Sequence, residues 1–161
     1  MSNIPDIEED IMPFEEKVTW VNATVTAIVP AVYFARVLSY VGTVPVAEIA
    51  YQRSMLLAIG AAILLTIVGA ILTGIGSGIS AEIVERDSSK DLGRTDERDA
   101  NIGRQGELVG YYVSSVGMVG VLILAMLRYD QFWIANTLYL SFAVGTLAAS
   151  VAKLVAYRRG F

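Results

Sequence analysis

The fold is decided by a polar segment in the middle of the chain, TDERDANIGRQGE at residues 95–107. This segment ends a longer connection, residues 82–107, that carries most of the charge outside the termini. Two long apolar segments precede the connection and two follow it. Because partner contacts and chemistry concentrate on polar connecting segments, this region is the first place to look for function. The sequence therefore predicts two pairs of apolar segments joined by one functional connection.

The composition points to a membrane protein. The chain has 161 residues, of which 55% are hydrophobic, and this is too apolar for an ordinary soluble domain. It contains no histidine and no cysteine, which removes the usual ligands of zinc, haem and iron–sulfur clusters and the common nucleophile pairs. A net charge of −4 offers no basic surface for nucleic acid. We therefore expect no catalytic residues, no metal, no cofactor and no nucleic-acid partner.

Each apolar segment is long enough to cross a bilayer, because about 20 residues match a hydrocarbon core of about 30 Å. The predicted spans are residues 18–40, 55–79, 108–127 and 132–155. An acidic N-terminal tail, residues 1–17, precedes the four-span membrane domain of residues 18–161. Each connection returns the chain across the bilayer, so the predicted fold is an all-α, antiparallel four-helix transmembrane bundle.

Small residues recur four apart along three of the spans. In lipid, such rows let helix backbones approach closely. The predicted packing positions are Ala62, Thr66, Ala70, Gly74 and Gly78 in span two, Gly106, Gly110 and Ser114 in span three, and Thr137, Ser141, Gly145 and Ala149 in span four. The row in span two is the longest and gives the strongest packing signal. The sequence leaves open whether the rows pack within one chain or between chains, and we expect a homo-oligomer or a larger membrane complex.

Orientation follows from lysine and arginine. With four spans, both termini and residues 82–107 share the side that carries most of these residues, whereas Arg53 and Arg128 mark the other side. The positive-inside rule predicts a multi-pass protein of the cytoplasmic membrane with its N-terminus and C-terminus in the cytoplasm. Aromatic residues near the span ends, such as Trp20 on the inner side and Tyr51 and Phe132 on the outer side, would form interfacial belts.

Span one is the most polar of the four. It contains Asn22, Thr24 and Thr26. Pro30 cannot donate to the carbonyl of Thr26, which predicts a kink. With Asn136 of span four, these side chains either line a water-filled path or make interhelical hydrogen bonds, and we favour the hydrogen bonds.

The central segment supplies the candidate docking residues. Thr95 is predicted to be an N-cap, with the following carboxylates in the first turn, where the helix dipole favours negative charge. Only Arg104 and Glu107 are spaced to pair along the helix, so the remaining charges are available to another helix end, to lipid or to a protein. The candidates for partner docking are Asp96, Glu97, Arg98, Asp99 and Arg104. A well-capped, solvated helix start is the alternative.

Basic residues after the last span are candidates for binding membrane lipid. They are Lys153, Arg158 and Arg159, and Tyr157 lies among them. Lysine and arginine beside a span attract anionic headgroups. The alternative is an ordinary basic flank that stops translocation.

Residues 95–161 resemble a group of small prokaryotic membrane proteins whose function is not established. The likeness rests on DERD at residues 96–99 with Ile102 and Arg104, on FWIAN at residues 132–136, and on AYRRG at residues 156–160. The resemblance implies a four-span integral membrane protein of bacteria or archaea, and it brings no catalytic residues.

These features predict a non-enzymatic membrane protein. It would act as a binding, regulatory or accessory subunit through residues 82–107. The alternative is a small transporter or channel that uses the polar first span, with its kink at Pro30, as its path.

Overall fold

The computed structural model describes the backbone of residues 14–84 and 92–159, and the side chains of residues 14–75 and 97–159. This part of the chain is all-α. Its four long helices are α1 (Phe14–Leu38), α2 (Gln52–Val84), α3 (Leu92–Met126) and α4 (Gln131–Arg159). A short 3-10 helix, Val46–Glu48, lies in the loop between α1 and α2. Each long helix is apolar enough to span a membrane, which confirms the prediction of four candidate spans packed as a bundle.

The described parts of the central polar connection, residues 82–84 and 92–107, are helical. Helix α2 continues to Val84 and α3 begins at Leu92, so Thr95 lies inside α3. The prediction that Thr95 is an N-cap was wrong. The helix begins three residues earlier, at Leu92, and continues through Gly93, because one glycine inside a helix costs only about 1 kcal/mol. At the other end of the chain, residues 14–17 form the start of α1. The rest of the predicted acidic tail, residues 1–13, lies outside the described residues.

The helices pack side by side in the order α2, α1, α4, α3. Contacting helices run antiparallel, since residue numbers rise along one helix as they fall along its neighbour. The contacts that show this are Phe14 with Gly74 and Val21 with Gly69 for α1 and α2, Asn22 with Ser150 and Tyr33 with Asn136 for α1 and α4, and Gly106 with Lys153 and Gly117 with Ser141 for α3 and α4. Helix α4 therefore packs on two helices, while α2 and α3 form the edges.

A tight turn fixes the antiparallel pairing of α3 and α4. Arg128 adopts a left-handed conformation, with φ of 55°. The amide of Tyr129 donates to the carbonyl of Leu124 at 3.0 Å, and the amide of Arg128 donates to Ala125 at 3.1 Å. This pattern closes the last turn of a helix and reverses the chain. The two helices are thus joined by only a few residues.

The best-buried cluster lies where the loop between α1 and α2 meets the start of α4. It contains Tyr33, Val37, Ile49, Tyr51 and Phe132. The rings of Tyr51 and Phe132 meet edge to face at 5.3 Å, and the two residues are 6% and 2% exposed. The prediction that these two belong to an interfacial belt was wrong, because the loop folds over the start of α4 and covers them.

Candidate functional site

The small residues of α3 and α4 face each other within one chain. A Cβ added to Gly110 would lie 2.8 Å from both the carbonyl oxygen of Gly145 and the Cβ of Ala149. A Cβ on Gly145 would collide with the hydroxyl of Ser114. Farther along, a Cβ on Gly117 would collide with Ser141. The structure thus brings the rows predicted in spans three and four together, and only glycine allows this approach.

Of the remaining predicted positions, Gly106 extends this seam, whereas Thr137 bonds within its own helix. A Cβ on Gly106 would overlap the side chain of Lys153 and would lie 2.9 Å from the carbonyl oxygen of Ala149. The carbonyl of Thr137 accepts a hydrogen bond from the Ser141 hydroxyl at 2.7 Å, within α4. The close contacts therefore run from Gly117 and Ser141 to Gly106 and Lys153, at the charged end of α4.

The row predicted in span two is less tightly packed. Ala62, Thr66, Ala70 and Gly74 are half-buried, and Gly78 lies beyond the described side chains. A Cβ on Gly74 would find the ring of Phe14 at 3.9 Å, which is ordinary contact. A cavity of about 500 Å³ separates α2 from α1 and α4, and Ala62 and Thr66 line it. Helix α2 therefore contacts α1 through side chains, and a cavity remains between α2 and its neighbours.

Polar residues join α1 to α4. The amide of Asn22 donates to the hydroxyl of Ser150 at 3.3 Å. The hydroxyl of Tyr33 donates to the side-chain oxygen of Asn136 at 2.8 Å. Such interhelical bonds contribute roughly 0.6 kcal/mol each in lipid, and up to about 2 kcal/mol. Thr24 instead donates to the carbonyl of Trp20 in its own helix.

The candidate docking residues divide between two faces of α3. Asp99 is half-buried and its carboxylate lies near the hydroxyl of Tyr157 on α4. One turn along the same face, Ile102 is 3% exposed. Glu97 and Arg104 are exposed. Arg98 is exposed as well and has an interaction within the chain, and Asp96 lies in α3 with its side chain outside the description.

The candidate lipid-binding residues have different surroundings. The Lys153 stem lies over Gly106, and its ammonium group is 3.5 Å from the carboxylate of Glu107. Glu107 therefore has a partner on the neighbouring helix. The Arg158 guanidinium lies 5.8 Å from the centre of the Trp20 ring, and Arg159 is exposed.

Sequence reasoning named Asn136 but missed the polar face of α4 to which it belongs. Asn136, Ser150 and Tyr157 are fourteen and seven residues apart, which places them on one side of a helix. Asn136 bonds to Tyr33 and Ser150 bonds to Asn22, both on α1, while Tyr157 lies near Asp99 on α3. The spacing was visible in the sequence, but its partners were not.

Within the described ranges, no group of three or more Asp, Glu, His or Cys side chains is placed to hold a metal ion. The chain matches no protein-family model, and no similar curated protein or solved structure was found. The resemblance of residues 95–161 to small prokaryotic membrane proteins therefore rests on the sequence motifs alone. In the part of the chain that the structure describes, four long helices are candidate membrane spans.

Proposed function

We propose that this protein is a non-enzymatic subunit of the cytoplasmic membrane that binds or regulates a partner through residues 82–107. One observation carries the proposal: α3 is much longer than a bilayer is thick. Its 35 residues extend about 52 Å, against about 30 Å of hydrocarbon. Because α3 ends at Met126, beside the short turn into α4, the excess length lies at its N-terminal end. The helix there offers a rigid polar arm outside the membrane.

The arm has one face turned to the chain and one turned away. Asp99 and Ile102 are on the inward face. Glu97 and Arg104 are exposed and seven residues apart, two turns along the same side of the helix. A partner would therefore meet an acid and a base at fixed separation. The capping interpretation is weaker, because α3 begins at Leu92 and the dipole effect falls off within the first turn.

A membrane partner or second copy also fits the edge helix α2. The described part of its apolar stretch, Gln52–Ile75, contains no buried residue. The row of Ala62, Thr66, Ala70 and Gly74 is suited to close helix packing, yet α1 covers it only loosely. Because that row faces α1 and the cavity, a homo-oligomer or larger complex would use the opposite, exposed side of α2, which carries Leu57, Leu64 and Ile71, beside the polar arm.

The proposed orientation places the arm and both termini in the cytoplasm, since Arg104, Arg158 and Arg159 lie at that end of the bundle. Alkaline phosphatase fused after Lys90 should be inactive, and the same enzyme fused after Gly42 should be active. The opposite pattern of activities would overturn both the orientation and the cytoplasmic role.

Co-purification tests the docking role. Tagged wild-type protein, isolated from its native membrane in mild detergent, should bring down a protein that the Glu97→Ala/Arg104→Ala variant loses. The matched control is Glu48→Ala/Arg53→Ala, which removes one exposed acid and one exposed base at the opposite end of the bundle. Loss of the same protein from both variants, or from neither, would contradict the proposal. Helical content by circular dichroism checks that each variant is folded.

A transporter is the second candidate, and the cavity beside span one favours it. Asn22, Thr26 and Pro30 line the cavity. A path through it would have to release Asn22 from Ser150. Solute flux into liposomes that is abolished by Asn22→Leu and kept by Glu97→Ala/Arg104→Ala would favour transport over the subunit role.

A further inference from the structure

A separate groove of about 510 Å³ lies between α1 and α4. Its wall follows α1 from Trp20 to Ile28 and α4 from Leu147 to Arg158. At 1.5 Å per residue, these stretches are roughly 12 and 16 Å long. Its volume is typical of small-molecule sites. The groove thus runs lengthwise from the charged end of the bundle into the apolar part of the spans.

The two ends of the groove differ in chemistry. Between them the lining is almost wholly aliphatic, with residues such as Ala27 and Val151. At the charged end, the Arg158 guanidinium lies 5.8 Å from the centre of the Trp20 ring. A guanidinium at cation–π distance from a ring keeps the N–H donors at its edge available, and these fit phosphate oxygens in pairs. The groove therefore has an apolar body and one cationic head.

Arg158 is the one charged side chain among the described residues that line the groove. Glu15, Glu16 and Lys17 lie in the first turn of α1 and are not among the residues that line the groove. The two carboxylates are near Tyr157. Among the lining residues there is no Asp or Glu. A choline or ethanolamine head would find no carboxylate there, whereas a phosphate with net negative charge would find Arg158.

We propose that this groove binds one anionic glycerophospholipid. An acyl chain lies along the aliphatic wall, and the phosphate is bound by Arg158 while Trp20 lies at headgroup depth. Charge complementarity at the head and an apolar channel toward the membrane centre select this occupant over a zwitterionic lipid. The site is separate from Glu97 and Arg104, so its test does not depend on the docking role.

Tryptophan fluorescence provides the test, because the chain has only two tryptophans. Trp133→Phe leaves Trp20, on the groove wall, as the single reporter. The full-length protein is placed in mixed phosphatidylglycerol and phosphatidylcholine vesicles, with brominated acyl chains on one lipid at a time. We expect phosphatidylglycerol to associate with Trp20 about fivefold more strongly than phosphatidylcholine, the effect of one basic residue near a membrane surface.

Variants of equal net charge separate a site from general attraction. Arg158→Gln should bring the preference to about one, whereas Arg159→Gln should keep most of it. Ala27→Phe keeps every charge and fills the groove, so it should weaken quenching by phosphatidylglycerol even if Arg158→Gln proves unstable. Circular dichroism in the same vesicles shows which variants are folded.

Three results would overturn the proposal. The first is equal quenching by both lipids in the wild type. The second is an equal loss of preference in Arg158→Gln and Arg159→Gln, which would indicate a diffuse surface effect. The third is quenching that is weak with both lipids and rises when the protein is diluted in the vesicles, which would show that a second copy covers the groove.

Discussion

The two edge helices are held in different ways. Helix α3 meets α4 through its backbone: a Cβ on Gly110 would lie 2.8 Å from the carbonyl oxygen of Gly145. Helix α2 meets α1 through side chains: a Cβ on Gly69 would collide with Val21, and the three atoms nearest to it all belong to the Val21 side chain. The difference shows that a row of small residues brings helices together only where the opposite helix is small as well.

The facing residues explain the difference. Toward α3, helix α4 presents Ser141, Gly145 and Ala149. Toward α2, helix α1 presents larger side chains, among them Val21 and Pro30, and a cavity remains. The longest small-residue row in the sequence therefore has the looser contact within the chain. In our proposal, contacts between chains use the opposite, exposed side of α2.

The largest effect is expected for Gly110→Leu. The new side chain must push α3 away from α4, because both Ala149 and the backbone of Gly145 occupy its space. Overpacking of this kind typically costs 1–3 kcal/mol, and we expect about 3 kcal/mol of unfolding free energy. The measurement is reversible unfolding in mixed micelles of increasing dodecyl sulfate content, followed by circular dichroism.

Gly120→Leu is the matched control for this change. It lies in the same helix, and a Cβ there meets no described atom within 4 Å. We expect no loss of stability, since leucine is also the better helix former. Equal destabilisation by the two substitutions would refute the close seam.

A smaller effect is expected for Gly69→Leu on the looser side. The obstacle is the Val21 side chain, which can yield more readily than a backbone. We expect a loss of about 1 kcal/mol in the same unfolding assay, the lower end of overpacking costs. Val21→Ala should restore part of the loss in the double variant. Gly60→Leu, where a Cβ meets no described atom within 4 Å, should be neutral. A loss at Gly69 as large as that at Gly110 would remove the contrast between the two edges.

The sequence was sufficient for some of this architecture. Hydrophobic length gave four candidate spans because each residue adds a fixed rise to a helix. Hydrophobic length did not predict where α3 begins. The charges at 96–99 indicated the start of a helix, whereas the helix begins at Leu92. The pairing of the rows could not be found either. Spacing identifies a small face, but the identity of its neighbour depends on tertiary packing.

The candidate site was predicted in part. Five residues were grouped as docking positions because they are charged and close in sequence. The structure separates them by helical phase, since Asp99 faces Tyr157 while Glu97 and Arg104 face outward. If residues 97–104 had been treated as one continuous helix, their spacing would have predicted this separation. Positions 99 and 102 share one face of a helix, and positions 97 and 104 share another.

The hydrogen bond between Tyr33 of α1 and Asn136 of α4 gives a third comparison. Tyr33→Phe removes the donor to Asn136, a buried bond of 2.8 Å, and leaves the amide oxygen unpaired. We expect a loss of about 1 kcal/mol, within the range for interhelical bonds in lipid. Tyr139→Phe is the matched change in the same region, because the buried Tyr139 hydroxyl has no partner among the described residues. It should be neutral or slightly stabilising. A reversed order of the two losses would contradict these assignments.

The smallest effect concerns the charged end of the seam. Lys153 and Glu107 are 3.5 Å apart, but the Glu107 side chain is 75% exposed. Glu107→Gln should therefore cost at most about 0.5 kcal/mol of unfolding free energy, and high salt should reduce even this. Lys153→Ala should cost more, because the lysine stem also covers Gly106. If Glu107→Gln were the more damaging of the two, charge would hold this end of α3 to α4 and close packing would not.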